Sequence, residues 1–233
     1  MAIDPRPWMI DVSEHQGPNV DFAQAYAEDY HGAIVKMTEG VGYVDPHGVR
    51  NLRRALAEMD VVGCYHFLWG GMSPVRQVNH FLAQISQVAN PGRVLLFVDV
   101  EISGNMSPAE HPTFDDVFLF LHTLEDAIPG KTLGIYSGFY WRGNMGNPDI
   151  SRLELQRNPI IWDAHYFSAR VDYGSVLYER VPDSYWENPA YGAQRADILQ
   201  FADKGRLQQF PNGIDVNATR GTMEDLKRWA AAP

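Results

Sequence analysis

The stretch "RVLLFVDVEISGN", residues 93–105, runs through five apolar residues and then meets two acids. Val94, Leu95, Leu96, Phe97 and Val98 read as a strand buried on both faces, the pattern of a parallel sheet covered by helices. Asp99 and Glu101 follow with only Val100 between them. Side chains alternate faces along a strand, so the two carboxylates share a side. A rise of roughly 3.3 Å per residue puts their Cα atoms about 6.7 Å apart.

Outward from this strand, short β-branched runs alternate with longer stretches of helical spacing. "WMIDVS" (8–13), "GAIVKMTE" (32–39), "VVGCYHFLW" (61–69) and "TLGIYSG" (132–138) are further strand candidates. Between them lie predicted helices over 19–30 with Asn19 as cap, over 45–60, over 73–89 with Ser73 as cap and Pro74 in the first turn, and over 113–127. This alternation predicts βαβ units and a parallel sheet. After Ser137 the rhythm breaks. "PIIWDAHY" (159–166), "DILQFA" (197–202) and "GIDVNA" (213–218) look like strands with no long helix between them, and "TMEDLKRWAAA" (222–232) closes the chain as a helix. Eight strand candidates predict an α/β fold, a closed barrel irregular in its last third. Residues 1–233 are expected to form one domain. The segment 167–196 reads as a surface excursion with its own small cluster or as a functional loop.

Composition narrows the function. The chain has 233 residues, 45% hydrophobic and 21% charged, with a net charge of −10. That charge argues against nucleic acid, whose phosphates need clustered Lys and Arg. No apolar run reaches the roughly 18 residues of a membrane span. The N-terminus lacks a basic region followed by an apolar stretch, so no signal peptide is expected. Cys64 is the single cysteine, which excludes an intrachain disulfide and a cysteine metal cluster; its apolar run marks it as a buried core residue.

Polar residues collect where the strand candidates end: Asp11, Ser13 and Glu14; Thr38 and Glu39; His66; Asp99 and Glu101; Tyr136 and Ser137; Asp215 and Asn217. In a parallel barrel such ends share one rim, where barrel enzymes place their chemistry. "IDVS" (10–13), "VDVE" (98–101) and "IDVN" (214–217) repeat one local solution, with the acid turned into the mouth. First and last strands of a closed barrel are neighbours, so Asp11 and Asp215 should meet. Two carboxylates close together in a partly dry cleft resist joint ionisation, and one keeps its proton to higher pH. A protonated carboxyl beside an ionised partner suits cleavage of a glycosidic bond. Glu101, further out and with the longer arm, is the expected acid. Strand-end charges paired with Lys or Arg are the plain alternative. A metal site of Asp99, Glu101, Asp11 and His66 is another, but no HxH or HExxH spacing supports it, and no cofactor is expected.

These residues resemble the glycoside hydrolase family 25 lysozymes, the Chalaropsis-type N-acetylmuramidases of bacteria and phages. The resemblance runs through "IDVSEHQG" (10–17), "IVKMTEGVGYVDP" (34–46), "GCYHFLW" (63–69), "FVDVE" (97–101), "GIYSG" (134–138), "IIWDAHY" (160–166) and "GIDVN" (213–217), in family order over nearly the whole chain. It implies a TIM-like (β/α)5(β)3 barrel that hydrolyses the β-1,4 bond between N-acetylmuramic acid and N-acetylglucosamine. The substrate would be bacterial peptidoglycan. Glu101 would be the general acid and Asp99 its partner, with Asp11 and Asp215 as supporting carboxylates. Tyr65, Tyr136, Trp162 and Tyr166 would line the groove, Trp162 foremost, with Glu39 and His66 beside them. Where the family often has Trp-Gln-Tyr, this chain has Leu199, Gln200 and Phe201, so a stacking ring is expected to be missing, with Tyr185, Trp186 and Tyr191 available to rebuild that wall. An Asp two residues before the acid is well placed to orient the substrate's 2-acetamido group, which favours a retaining, substrate-assisted route.

Two other readings stay open: a non-catalytic glycan-binding barrel, and a hydrolase of another N-acetylated glycan such as chitin. A monomer acting on the cell wall is expected, either as a phage endolysin released from the host cytoplasm or as a secreted enzyme whose signal has been removed.

Overall fold

The computed structural model describes residues 7–166, 170–187, 191–192 and 195–231. Its strands are β1 (Trp8–Val12), β2 (Tyr30–Glu39), β3 (Tyr43–Val44), β4 (Val61–Phe67), β5 (Leu95–Asp99), β6 (Gly134–Ser137), β7 (Ile160–Ala164), β8 (Asp172–Tyr173), β9 (Ile198–Leu207) and β10 (Phe210–Thr219). The helices are α1 (Phe22–Ala27), α2 (Gly48–Glu58), α3 (Pro74–Ile85), α4 (Phe114–Ala127), α5 (Gly174–Tyr178), α6 (Asp183–Trp186) and α7 (Met223–Ala230). None is long and apolar enough to cross a membrane.

Eight strands close into a barrel in the order β1-β10-β9-β7-β6-β5-β4-β2, and β2 returns to β1. The alternation of strand and helix holds through β6. A single π turn at Tyr140–Asn144 and a short 3-10 turn then replace the fifth helix. The barrel is thus the irregular TIM-like kind. The closed barrel departs from a wholly parallel one at β10, which runs antiparallel to both β1 and β9. β9 and β10 are also far longer than their apolar cores predict, because they form one hairpin through 203–214, a polar stretch that reads as loop.

Helix ends follow local chemistry. Ser73 accepts from Arg76 N at the start of α3, and Thr113 with Asp116, and Thr222 with Asp225, form capping boxes. α1 starts later than predicted: its cap is Asp21, which accepts from Gln24 N.

The period-two alternation sorts each strand into two faces. Ile10, Val12, Val35, Cys64, Leu96, Val98, Ile135, Ile161, Leu199 and Phe201 belong to the layer shared with the helices. Met9, Ile34, Leu95, Phe97, Tyr136, Ile160, Trp162 and Ile198 fill the interior, together with Leu226 and Ala230 of α7. α7 therefore plugs the end of the barrel opposite the mouth. Lys131 pins it there, its buried Nζ donating to the carbonyls of Gly92, Trp229 and Ala230. Gly134 makes room for the interior: a Cβ there would lie 2.2 Å from the Phe97 ring.

The 170–187 segment is an outer layer rather than a separate cluster. β8 pairs with β9 at Asp172 and Gly205, while Leu177 and Trp186 are buried in the main core.

Candidate active site

The mouth is built from the carboxyl ends of the parallel strands and, from β10, from its earlier half. Asp11 faces Asp215 directly in the β1–β10 register, so the two meet as expected. The direction of β10 changes the meaning of its motif. "IDVS" and "VDVE" run outward toward the mouth, but "IDVN" runs inward. Asn217 therefore sits one layer deeper than Asp215, opposite Met9.

Glu101 lies just beyond β5, yet its backbone is held in register. Val100 N donates to the Tyr136 carbonyl at 2.8 Å, and Ser137 Oγ donates to the Val100 carbonyl at 2.6 Å. Asp99 is buried, and its Oδ1 has no hydrogen-bond partner among the described residues. Burial, then the charge of Glu101, pushes the Asp99 carboxyl well above the usual carboxylate range, with Lys36 pulling the other way. Burial, then the charge of Asp11, raises Glu101 to about 7. Asp215 rises to about 8, through burial first and then Asp11. Asp11 rises to about 6 by burial, opposed by hydrogen bonds from Asn217 and Gln200. Four acids thus share one low-dielectric mouth, and burial raises each of them above the usual carboxylate range.

Beneath them runs a directed hydrogen-bond network. Gln200 Nε2 and Asn217 Nδ2 each donate to Asp11 Oδ2 at 2.8 Å. Tyr136 OH donates to Gln200 Oε1 at 2.7 Å, and Tyr166 OH donates to the same oxygen. Trp162 Nε1 donates to Asn217 Oδ1 at 2.7 Å. On the far side of the mouth, Glu39 is taken up on both oxygens, by Trp69 Nε1 at 2.8 Å and by Lys36 Nζ at 2.9 Å.

Several expectations need correction. His66 does not face the mouth. Tyr65, its neighbour on β4, is packed against the interior cluster, so alternation sends His66 the other way. There it is fully buried, stacked on Phe120, and hydrogen-bonded to Thr38 Oγ1 and Gln77 Oε1; burial lowers its pKa to about 3, so it is a neutral core histidine. That also removes it from the metal alternative, and no group of three His, Cys, Asp or Glu side chains among the described residues is placed to hold a metal ion. Trp162 offers no face to a sugar: it is 1% exposed and edge-on to Tyr65 and Phe97 inside the barrel. Tyr136 is buried too, Tyr65 is partly buried, and Tyr166, 45% exposed, is the most open ring of the expected set. Leu199 and Phe201 face the outer layer, so no groove ring is missing at those positions. Trp186 and Tyr191 are buried in the core; Tyr185 is partly buried against the same core and stacked flat on His165, with centroids 3.6 Å apart. Residues 167–169, 188–190 and 193–194 of that segment lie outside the described residues.

Sequence reasoning misses Lys36, Gln200 and the inward role of Asn217. Parity could have found them: Lys36 shares a face with Ile34, Gln200 with Ile198 and Asn217 with Asp215, and each is polar on an otherwise apolar interior face.

Comparison with known proteins agrees with this architecture. The family model "Glycosyl hydrolases family 25" matches residues 10–210. An uncharacterized protein of Escherichia coli K12, YegX, is 27% identical over 227 residues, covering 94% of this chain and 72% of its own. An N,O-diacetylmuramidase of Chalaropsis sp. is 25% identical over 169 residues, 69% of this chain and 78% of its own. Among solved structures, a bacterial lysozyme from Streptomyces coelicolor superposes with a TM-score of 0.77 at 19% identity, covering 98% of each chain, a likeness of fold.

Proposed function

We propose that this chain, which belongs to glycosyl hydrolases family 25, is a lysozyme that cleaves the β-1,4 bond between N-acetylmuramic acid and N-acetylglucosamine in bacterial peptidoglycan. It is a glycoside hydrolase by family, and the muramidase name of its Chalaropsis relative supports the substrate. Residues 1–233 act as one catalytic domain, as a monomer, at the cell wall.

The observation that carries the mechanism is the bare Oδ1 of Asp99 beside Glu101. A buried carboxylate oxygen without a donor favours the protonated form. The 2-acetamido N–H of a bound N-acetylmuramic acid supplies that donor. Asp99 then ionises, releasing its proton to solvent, and its charge holds the proton on Glu101. Glu101 gives that proton to the glycosidic oxygen as the C1–O bond breaks, and the acetamido carbonyl oxygen bonds to C1 from the opposite face. Water, deprotonated by Glu101, then opens this ring at C1, and the product retains the β-anomer. Tyr166 offers the exposed ring for a sugar face, and Lys36 tempers the charge on Asp99.

The test is release of reducing ends from purified peptidoglycan by the native chain and by Glu101→Gln, with mass spectrometry of the new ends. Reduced muramic acid ends that vanish in the variant support the reading. No release by well-folded native protein moves it to a binding barrel or to chitin oligomers, the next assay. An α-anomeric first product in NMR sinks substrate assistance.

A further inference from the structure

Asp11 is held in an unusual way: two amide N–H groups converge on one of its oxygens. Asn217 has its direction fixed by partners that cannot reverse. The indole N–H of Trp162 only donates, so it must face Asn217 Oδ1. The Met9 carbonyl only accepts, and at 3.3 Å it takes Asn217 Nδ2. Asn217 therefore always presents a donor to Asp11 Oδ2. Gln200 is buried, its Oε1 taken by the hydroxyls of Tyr136 and Tyr166, which turns its Nε2 to the same Asp11 oxygen. Two N–H bonds keep a proton off Oδ2 and are stronger to a carboxylate than to a carboxylic acid, so this array favours the charged form of Asp11 and opposes the burial that raises its pKa.

We propose that Gln200 and Asn217 are positioning residues that hold Asp11 as the charged member of the mouth, and that Asp11 in this state keeps the proton on Glu101. The inference rests on the lysozyme reading for its kinetic test, but its structural half stands without turnover. The groups facing Asp11 come from every side of the barrel. They are Tyr65 on β4, Asp99 on β5 with Glu101 beyond it, Tyr136 on β6, Tyr166 beyond β7, and Asp215 on β10, while Lys36 and Glu39 on β2 act on Asp99. Asp203 and Lys204 on β9 act on Asp215 with opposite sign. Of the cations, Lys36 bears on Asp99 and Lys204 on Asp215; the pull that keeps Asp11 ionised comes from the two amides. Trp162, buried and unable to stack on sugar, gains a role here as the group that sets Asn217.

The sign follows directly. A general acid must be protonated, so activity falls as pH rises through the pKa of Glu101. The Asp11 charge raises that pKa. Losing an amide donor makes Asp11 harder to ionise and weakens that support.

The experiment compares native protein, Gln200→Met and Asp11→Asn. The kcat/KM profile on peptidoglycan is measured from pH 4 to 9, and the Asp carboxyl carbons are titrated by NMR in selectively labelled protein. Expected are an Asp11 midpoint higher in Gln200→Met, and an alkaline limb displaced downward by about one pH unit in both variants. A lower rate with the limb in place would make Gln200 merely structural and overturn the proposal, as would an unmoved limb in Asp11→Asn. That second variant keeps the test decisive if Gln200→Met fails to fold. An inactive native enzyme would overturn the lysozyme reading, while the Asp11 midpoint still decides whether Gln200 controls its charge.

Discussion

The two ends of the barrel both bury charge, and they handle it in opposite ways. At the closed end Lys131 is alone among carbonyls, and three of them accept from it. At the mouth four acids crowd together with two cations bearing on them, and one carboxylate oxygen has no donor. Burial lowers Lys131 to about 7 and raises Glu101 to about 7. The same desolvation thus acts at both ends, but only at the mouth does it leave protons held by groups that a ligand can reach. A satisfied buried charge serves the fold, and an unsatisfied cluster stores reactivity.

The contrast is broken most sharply by chemistry at the mouth. Glu101→Gln is expected to lower kcat by about 10²–10⁴-fold, the usual worth of a general acid, with an unchanged circular dichroism spectrum and a melting temperature no lower than that of the native chain. A similar loss of stability would move Glu101 to the structural side. Lys131→Met should do the reverse. It strands buried carbonyls and is expected to cost about 3 kcal/mol, a drop of roughly 6–12 °C in Tm for a chain of this size, with the pH profile of activity unmoved.

pH sharpens the same point. Asp11, Glu101 and Asp215 hold protons up to about 6, 7 and 8 in the fold, against 3.8, 4.5 and 3.8 ordinarily. Through these three groups the folded chain binds more protons than the unfolded chain between about pH 4 and 8, so their contribution to stability should fall as pH rises through that window, partly offset by His66 and Lys131, whose lowered pKa values act with the opposite sign. The loss is on the order of 3 kcal/mol for one such group. Denaturant melts at pH 5 and pH 8 measure it, and Asp215→Asn should flatten the slope. The smallest effect is expected from His66→Gln. It should cost about 1–2 kcal/mol of stability through its buried partners and leave KM for peptidoglycan unchanged, since the side chain faces the helices. A raised KM would put it back at the mouth.

Much of this was legible in the sequence because it depends on local periodicity. Strand β5 and its acids, the helices over Pro74–Ile85 and Phe114–Ala127 with their caps, and the break in rhythm after Ser137 are all local facts. The gathering of Asp11, Asp99, Glu101 and Asp215 followed from strand ends and barrel closure. The errors came where one residue of parity mattered. The strand-end pattern puts both Tyr65 and His66 at the mouth, although adjacent residues on a strand cannot share a face. Aromatic rings in the sequence suggest sugar platforms, but a large ring is equally good filler, and Trp162, Trp186 and Tyr191 lie in the core.

The sequence by itself determined the barrel, its irregular last third and the set of acids, because hydrophobic alternation and turn chemistry are written residue by residue. Only the tertiary structure decided that β10 runs backward, which drops Asn217 beneath Asp11, and only it brought Gln200 across from β9 to the same oxygen. The physical reason is distance along the chain. Gln200 and Asn217 lie about 200 residues from Asp11, and no local pattern encodes which oxygen of a carboxylate two amides will share once the barrel closes.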